Sequence, residues 1–213
     1  MKGQKLAGVL AAIFVLAGAA FGTVGAEAAK APPRMCNPGY IWRIDADDVP
    51  GLPRNFRTMD GEFRAAHKAD MDASYIPTRE GLDRLHASGS GEFSASGLRA
   101  LLEVLALKTR EPICIVDLRE ESHGFFNGTA VSWYGERDWG NVGLTHEEAL
   151  ADEEARIHGA AGQMTAVAHL GGEKNPLDEH EIFVEEAQTE AELVEAAGLR
   201  YKRITATDHI WPE

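Results

Sequence analysis

From Ser96 onward the apolar residues of this 213-residue chain switch repeatedly between helical and strand periods. "SGLRALLEVLALK" sets Leu98, Leu101, Leu102 and Leu105 at helical spacing behind Ser94 or Ser96 as N-cap. "PICIVDLR" follows as an apolar, β-branched strand, with Cys114 expected to act as a small buried hydrophobe. Asn127-Gly128 between apolar runs predicts a hairpin. Thr145-His146-Glu147-Glu148 is a capping box opening a helix through about Ile157, and Thr189-Glu190-Ala191-Glu192 caps a shorter helix that Gly198 ends. "MTAVAHL", "HEIFVEEA" and "LRYKRITAT" read as strands, as does "GYIWRID" upstream of the loops "VPGLPRNFRT" and "DASYIPTREGLDRLHASGSGEFSAS". Alternation of this kind predicts an α/β fold whose mostly parallel sheet is flanked by helices.

With 44% hydrophobic and 26% charged residues, the chain can build one globular domain with its own core. The first residues stand apart: Met1 to Lys5 are basic, "LAGVLAAIFVLAGAAFGTVG" is apolar, and small-residue cleavage sites follow. Residues 1–28 therefore read as a secretory signal peptide, with an uncleaved membrane anchor as the rival reading. Residues 29–35 are a flexible lead-in and 36–213 the folded part. A net charge of −13 leaves no basic stripe for nucleic acid. An anionic small substrate then needs a local basic pocket working against the global field. The two cysteines, Cys36 and Cys114, could pair after export; the strand setting of Cys114 argues for a free thiol.

Two places concentrate chemistry. Arg119, Glu120, Glu121, Ser122 and His123 follow the end of the "PICIVDLR" strand, where open α/β sheets bind ligands. The plain alternative is a solvated connection, with Arg119 tying Asp117 or a later loop. "TDHIWP" follows the last strand and delivers Asp208 and His209 to its end.

"PRNFRT", "LHASGSGEFSASGLRALL", "VDLREESHGFFNGTAVSWYGERDWGN" and "AGLRYKRITATDHIWP" together resemble the protein-tyrosine-phosphatase-like phytases, exported bacterial inositol-polyphosphate phosphatases. The resemblance runs in order through nearly all of 36–213. It implies a cysteine-phosphatase α/β core with a small partial β-barrel elaboration, no metal or other cofactor, and stepwise removal of phosphate from phytate. It makes Asp208 the general acid and His209 a phosphate contact. Arg57 matches a substrate-binding arginine, Arg119, Glu120, His123 and Asp138 become pocket or loop-support residues, and Arg119, His123, Asp138 and Lys174 are the candidates for substrate contact. Lys174 stands alone where the family often carries several lysines. The family's nucleophile sits in a His-Cys-x5-Arg loop, whose thiolate attacks phosphorus while backbone N–H groups and the arginine hold the oxygens. Six residues after Cys36 stands Trp42, and six after Cys114 stands Glu120, so neither is that cysteine. The chain is expected to be the N-terminal portion of such an enzyme, truncated before this loop.

Competing readings are a non-catalytic secreted phosphate-ester-binding protein and a hydrolase using Asp208 with Glu120 or Glu121. "WPE" also offers Glu213 as a rival acid.

Overall fold

A computed structural model describes residues 40–62, 78–171 and 175–208. The expected export segment, Cys36, Lys174 and the stretch from His209 to Glu213 lie outside the described residues. In chain order the strands are β1 (Ile41–Ala46), β2 (Arg57–Thr58), β3 (Ser88–Gly89), β4 (Cys114–Arg119), β5 (His123–Phe126), β6 (Thr129–Tyr134), β7 (Met164–Leu170), β8 (Pro176–Phe183), β9 (Ala187–Thr189) and β10 (Arg200–Ala206). The α-helices are α1 (Ala95–Ala106), α2 (His146–Ala160) and α3 (Glu190–Ala196).

Local chemistry sets these boundaries. Ser94 caps α1 by accepting from the Gly97 N–H. Thr145 and Thr189 open α2 and α3 with reciprocal capping boxes to Glu148 and Glu192. Asn127 and Gly128 both adopt positive φ, 51° and 84°, the geometry of a type I′ turn between β5 and β6.

Six strands form an open sheet in the order β8-β7-β1-β6-β5-β9, while β4 and β10 form a separate parallel pair. The α/β class expected from the sequence holds, with helices packed on the sheet and no closed barrel among the described residues. Parallel pairing is narrower than expected: among the described residues it is confined to β1–β7 and β4–β10. The tight turn after β5 and the short link from β7 to β8 force antiparallel neighbours, whereas β4 and β10 are far apart in the chain.

Because neighbouring residues on a strand face opposite ways, β5 and β6 feed two cores. Phe126 and Val131 join Ile44, Ile157 and Val167 on one face. Phe125 and Ala130 join Phe93, Leu98, Leu101 and Val194 on the other, with Ile115 and Tyr201 packed alongside. The β4–β10 pair thus covers the second core with its inner face only. Its outer face leaves Val116, Leu118 and Ile204 exposed at 52%, 59% and 46%. Cys114 lies on that outer face and is exposed and free, so the expectation of a buried thiol is corrected. The strand pattern foretold burial on both faces, and among the described residues nothing covers the second one.

Candidate active site

The strand ends of β4 and β10 open into a cleft of about 350 Å³. Leu118 and Arg119 reach it from β4, Ala206 and Asp208 from the end of β10, and Arg43 and Asp45 from β1. Glu121, Asp138, Arg54 and the Ser90-Gly91-Glu92 stretch complete the wall. This is the C-terminal end of a parallel pair, the position at which α/β folds gather ligand-binding loops.

Arg119 organises the floor. All three of its guanidinium nitrogens are engaged: Nε with Glu121 at 2.7 Å, Nη1 with Glu92 at 2.6 Å and Nη2 with Asp45 at 2.9 Å. Arg43 pairs with Asp45 and places Nη1 2.9 Å from Asp138 Oδ2. Together Arg119 and Arg43 hold the Asp45 carboxyl below its ordinary range despite burial. Glu92 goes the other way: burial, reinforced by the charge of Glu190, pushes it up to about 7.

Asp138 sits in a strained turn. Arg137 and Asp138 are consecutive non-glycine residues at positive φ, 62° and 66°, a conformation that persists where the surroundings enforce it. One constraint is Gly140, where a Cβ would lie 2.3 Å from the Trp133 carbonyl oxygen. Asp138 Oδ1 is buried with no hydrogen-bond partner among the described residues, and burial, aided by the charge of Glu121, raises its pKa.

Behind this floor lies a second, buried network. His123 Nε2 is 3.2 Å from both Asp117 and Glu190, and Nδ1 lies 2.8 Å from the Glu121 carbonyl. Arg203 Nη1 stands 2.9 Å from Asp117 and 2.9 Å from Glu153, and Tyr201 donates to Asp117 at 2.7 Å. Burial opposes charge on His123, yet the surrounding carboxylates raise its pKa well above the ordinary value. Alongside, the Ser122 N–H donates to Asn141 Oδ1, and Ser122 Oγ donates to Asp152. The "RDWGN" segment therefore braces the turn that follows β4.

The residues expected from the sequence separate into groups. Arg119, Asp138 and Asp208 meet at the cleft. His123 is 1% exposed, so the expected substrate contact is corrected to a member of the buried network. Arg57 on β2 donates to the Asn55 carbonyl and is not among the lining residues. Glu120 is buried, and its carbonyl accepts from Arg203 at 3.4 Å. His209 and Lys174 fall outside the described residues. Sequence reasoning passed over Arg43, Asp45, Arg54, Glu92 and Arg203. For Arg43 and Asp45 the available signal was two charges alternating with apolar residues in "IWRIDA", which points both side chains to one face.

Glu92, His123 and Glu190 bring potential ligand atoms within 4.8 Å of one another. Glu92 is already paired with Arg119, and His123 with Glu190 and Asp117. These carboxylates are neutralised by arginine and imidazolium, which leaves a metal ion little free valence to satisfy.

Comparison with known proteins agrees with the site. The family model of the PTP-like phytases, described by inositol hexakisphosphate, matches residues 116–213. Effector protein hopD2 of Pseudomonas syringae pv. tomato is 29% identical over 190 residues, covering 85% of this chain and 38% of its own length. The PTP-like myo-inositol phosphatase of Mitsuokella multacida, solved with myo-inositol-(1,3,4,5)-tetrakisphosphate, shares 50% identity at a TM-score of 0.75 over 82% of this chain and 30% of that one. A PTP-like phytase from Bdellovibrio bacteriovorus shares 27% identity at a TM-score of 0.52, over 81% of this chain and 52% of that one. The chain thus spans well under two thirds of each of these relatives. A cleft at the ends of β4 and β10, built from segments that carry the shared motifs, and a common fold together lead to one conclusion: residues 116–213 match the protein-tyrosine-phosphatase-like phytase family, and the chain shares the fold of its solved members.

Proposed function

We propose that this chain forms the acid-bearing part of an exported phosphatase acting on phosphomonoesters of inositol polyphosphates, with the nucleophilic cysteine on polypeptide outside these 213 residues. The observation that carries the reading is the cleft where Asp208 meets Arg43, Arg54 and Arg119 at the ends of the parallel strands. The Mitsuokella relative, half identical to this chain, was solved with an inositol tetrakisphosphate. Residues 1–28 act as the export signal in this reading.

The chemistry divides between two pieces of polypeptide. A cysteine thiolate attacks phosphorus and forms an S–P bond as the P–O bond to inositol breaks. The Asp208 carboxyl donates its proton to the departing inositol oxygen. As carboxylate, Asp208 then takes a proton from water, whose oxygen attacks phosphorus and releases inorganic phosphate and the thiolate. Arg119 fixes the floor under this site. The family's His-Cys-x5-Arg pattern is absent from the 213 residues, so the chain alone is expected to be inactive.

The experiment is a chimera in which the C-terminal segment of a related full-length enzyme follows Glu213. Phosphate release from inositol hexakisphosphate by the chimera, and none by the chain alone, is the expected result. A folded chimera that binds the ester and releases nothing would leave a binding protein and overturn the reading.

A further inference from the structure

The three arginines of the cleft differ in what their guanidinium groups already hold. Arg119 is held through all three nitrogens by Asp45, Glu92 and Glu121, and Arg43 through Nε and Nη1 by Asp45 and Asp138. For either to offer a two-nitrogen fork to a phosphate it must release a carboxylate, leaving that carboxylate uncompensated in a partly buried site. Arg54 is exposed at the cleft wall and has no ion pair or side-chain hydrogen bond among the described residues.

Its backbone is nonetheless fixed. The Arg54 carbonyl accepts from the Gly91 N–H at 2.7 Å, and the Phe56 N–H closes a turn onto Pro53 at 3.1 Å. The side chain lies alongside Gly91. A Cβ there would sit 3.3 Å from the Arg54 carbonyl oxygen, 3.5 Å from Nε and 3.6 Å from Nη2. The guanidinium therefore runs along a bare stretch of backbone, with its donor fork uncommitted.

We propose that Arg54 is the residue through which this chain grips a phosphate of its inositol polyphosphate substrate, by bidentate donation from its free guanidinium. The inference rests on the phosphate-ester reading of the cleft. A planar fork matches two phosphate oxygens, and phosphate supplies the charge that five surrounding carboxylates do not share with Arg54. Arg119 and Arg43 then act as positioning residues that hold the acidic floor together, while Arg54 sets which phosphate is engaged. Arg57, only three positions on, donates to a backbone carbonyl and does not line the cleft.

Titration calorimetry of the 213-residue chain with inositol hexakisphosphate, and separately with inorganic phosphate, tests this. Arg54→Gln should weaken inositol hexakisphosphate by about tenfold or more, the worth of a charge-assisted contact. Arg54→Lys should fall between, since it keeps the charge and loses the fork. Arg57→Gln should stay within about twofold of the parent. Circular dichroism melts confirm that each variant folds. If the parent binds and Arg54→Gln binds equally well, or Arg57→Gln carries the loss, the assignment of Arg54 falls and the reading of the cleft survives. A folded parent with no measurable affinity for either ligand overturns both.

Discussion

Arg203 of β10 donates through Nε to the backbone carbonyl of Arg119 on β4, 2.6 Å away. One buried guanidinium thereby joins the strand that delivers Asp208 to the residue that holds the cleft floor. The same side chain neutralises Asp117 and Glu153 and caps the Glu121 carbonyl at 3.0 Å. Its removal leaves buried carboxylates uncompensated, which costs far more than an exposed pair would. Arg203→Ala should lower stability by about 3–5 kcal/mol, read as a fall in the urea midpoint. Arg203→Lys should recover less than half, because an ammonium cannot serve carboxylates and carbonyls in one plane. A midpoint unchanged in Arg203→Ala would mean that the two strands are held by the core alone.

Stability should also depend on pH in a way that isolates Glu92. Its folded-state pKa, about 7, lies above the ordinary value of 4.5. The stabilisation linked to its proton is therefore full below about pH 4.5 and lost as pH rises through 7. His123, also raised, loses its contribution on the alkaline side, whereas Asp117, lowered by His123 and Arg203, loses its own on the acid side. Glu92→Gln removes the first effect and leaves the other two. The variant should gain on the parent between pH 5 and 8, by on the order of 1–3 kcal/mol at the alkaline end. Paired urea titrations across that range measure the gap; a gap independent of pH would show that Glu92 is charged throughout.

Much of this architecture was legible in the sequence because its signals are local. Ser94, Thr145 and Thr189 cap the helices that follow them, and Asn127-Gly128 makes its turn. Arg119 and Asp138 were found because a motif carried them, but their partners were not. Arg119 meets Asp45 and Glu92 across chain separations of 74 and 27 residues. No periodicity encodes such pairs; only the sheet order brings them together. His123 misled for a related reason, since a histidine after a strand looks equally like a ligand and like the hub of a buried ion cluster. Cys114 misled because "PICIVDLR" has the composition of a strand covered on both faces, and composition does not say what covers it.

That uncovered face gives the next prediction. Val116, Leu118 and Ile204 form an apolar stripe on a two-stranded parallel pair, an arrangement that parallel sheets otherwise bury on both sides. The purified chain should bind a hydrophobic dye and self-associate at high concentration. Val116→Thr with Ile204→Thr should cut the dye signal severalfold while changing the urea midpoint little, since exposed positions contribute within about 0.5 kcal/mol. Dye binding unaffected by this pair would place the exposed apolar surface elsewhere.

Among the described residues the cleft carries five carboxylates against three arginines. A polyanion should therefore bind better as the acidic groups take up protons. Glu92 and Asp138, both raised, are the first to do so on acidification. Affinity of the chain for inositol hexakisphosphate should rise as pH falls from 8 to 5.5, and Glu92→Gln should flatten the upper part of that rise. An affinity that falls over the same interval would mean that the ligand's own protonation dominates.

The final prediction concerns Asp208, which lines the cleft with its carbonyl held by the Trp139 indole N–H at 3.0 Å. In the chimera that restores a Cys-x5-Arg loop, Asp208→Asn keeps size and hydrogen bonding but cannot protonate the leaving oxygen. General acid catalysis is worth on the order of 10²–10⁴ in rate. The loss should approach that range for inositol hexakisphosphate, whose alkoxide is a poor leaving group, and be much smaller for an aryl phosphate whose phenolate departs unaided. Trp139→Phe removes the tether on the Asp208 carbonyl and keeps an aromatic ring beneath Arg137, so it should slow both substrates modestly and by similar factors. Glu213→Gln should leave the leaving-group dependence intact. Equal losses on the two substrates for Asp208→Asn would make the residue a loop support, and a leaving-group-dependent loss in Glu213→Gln would move the acid to Glu213.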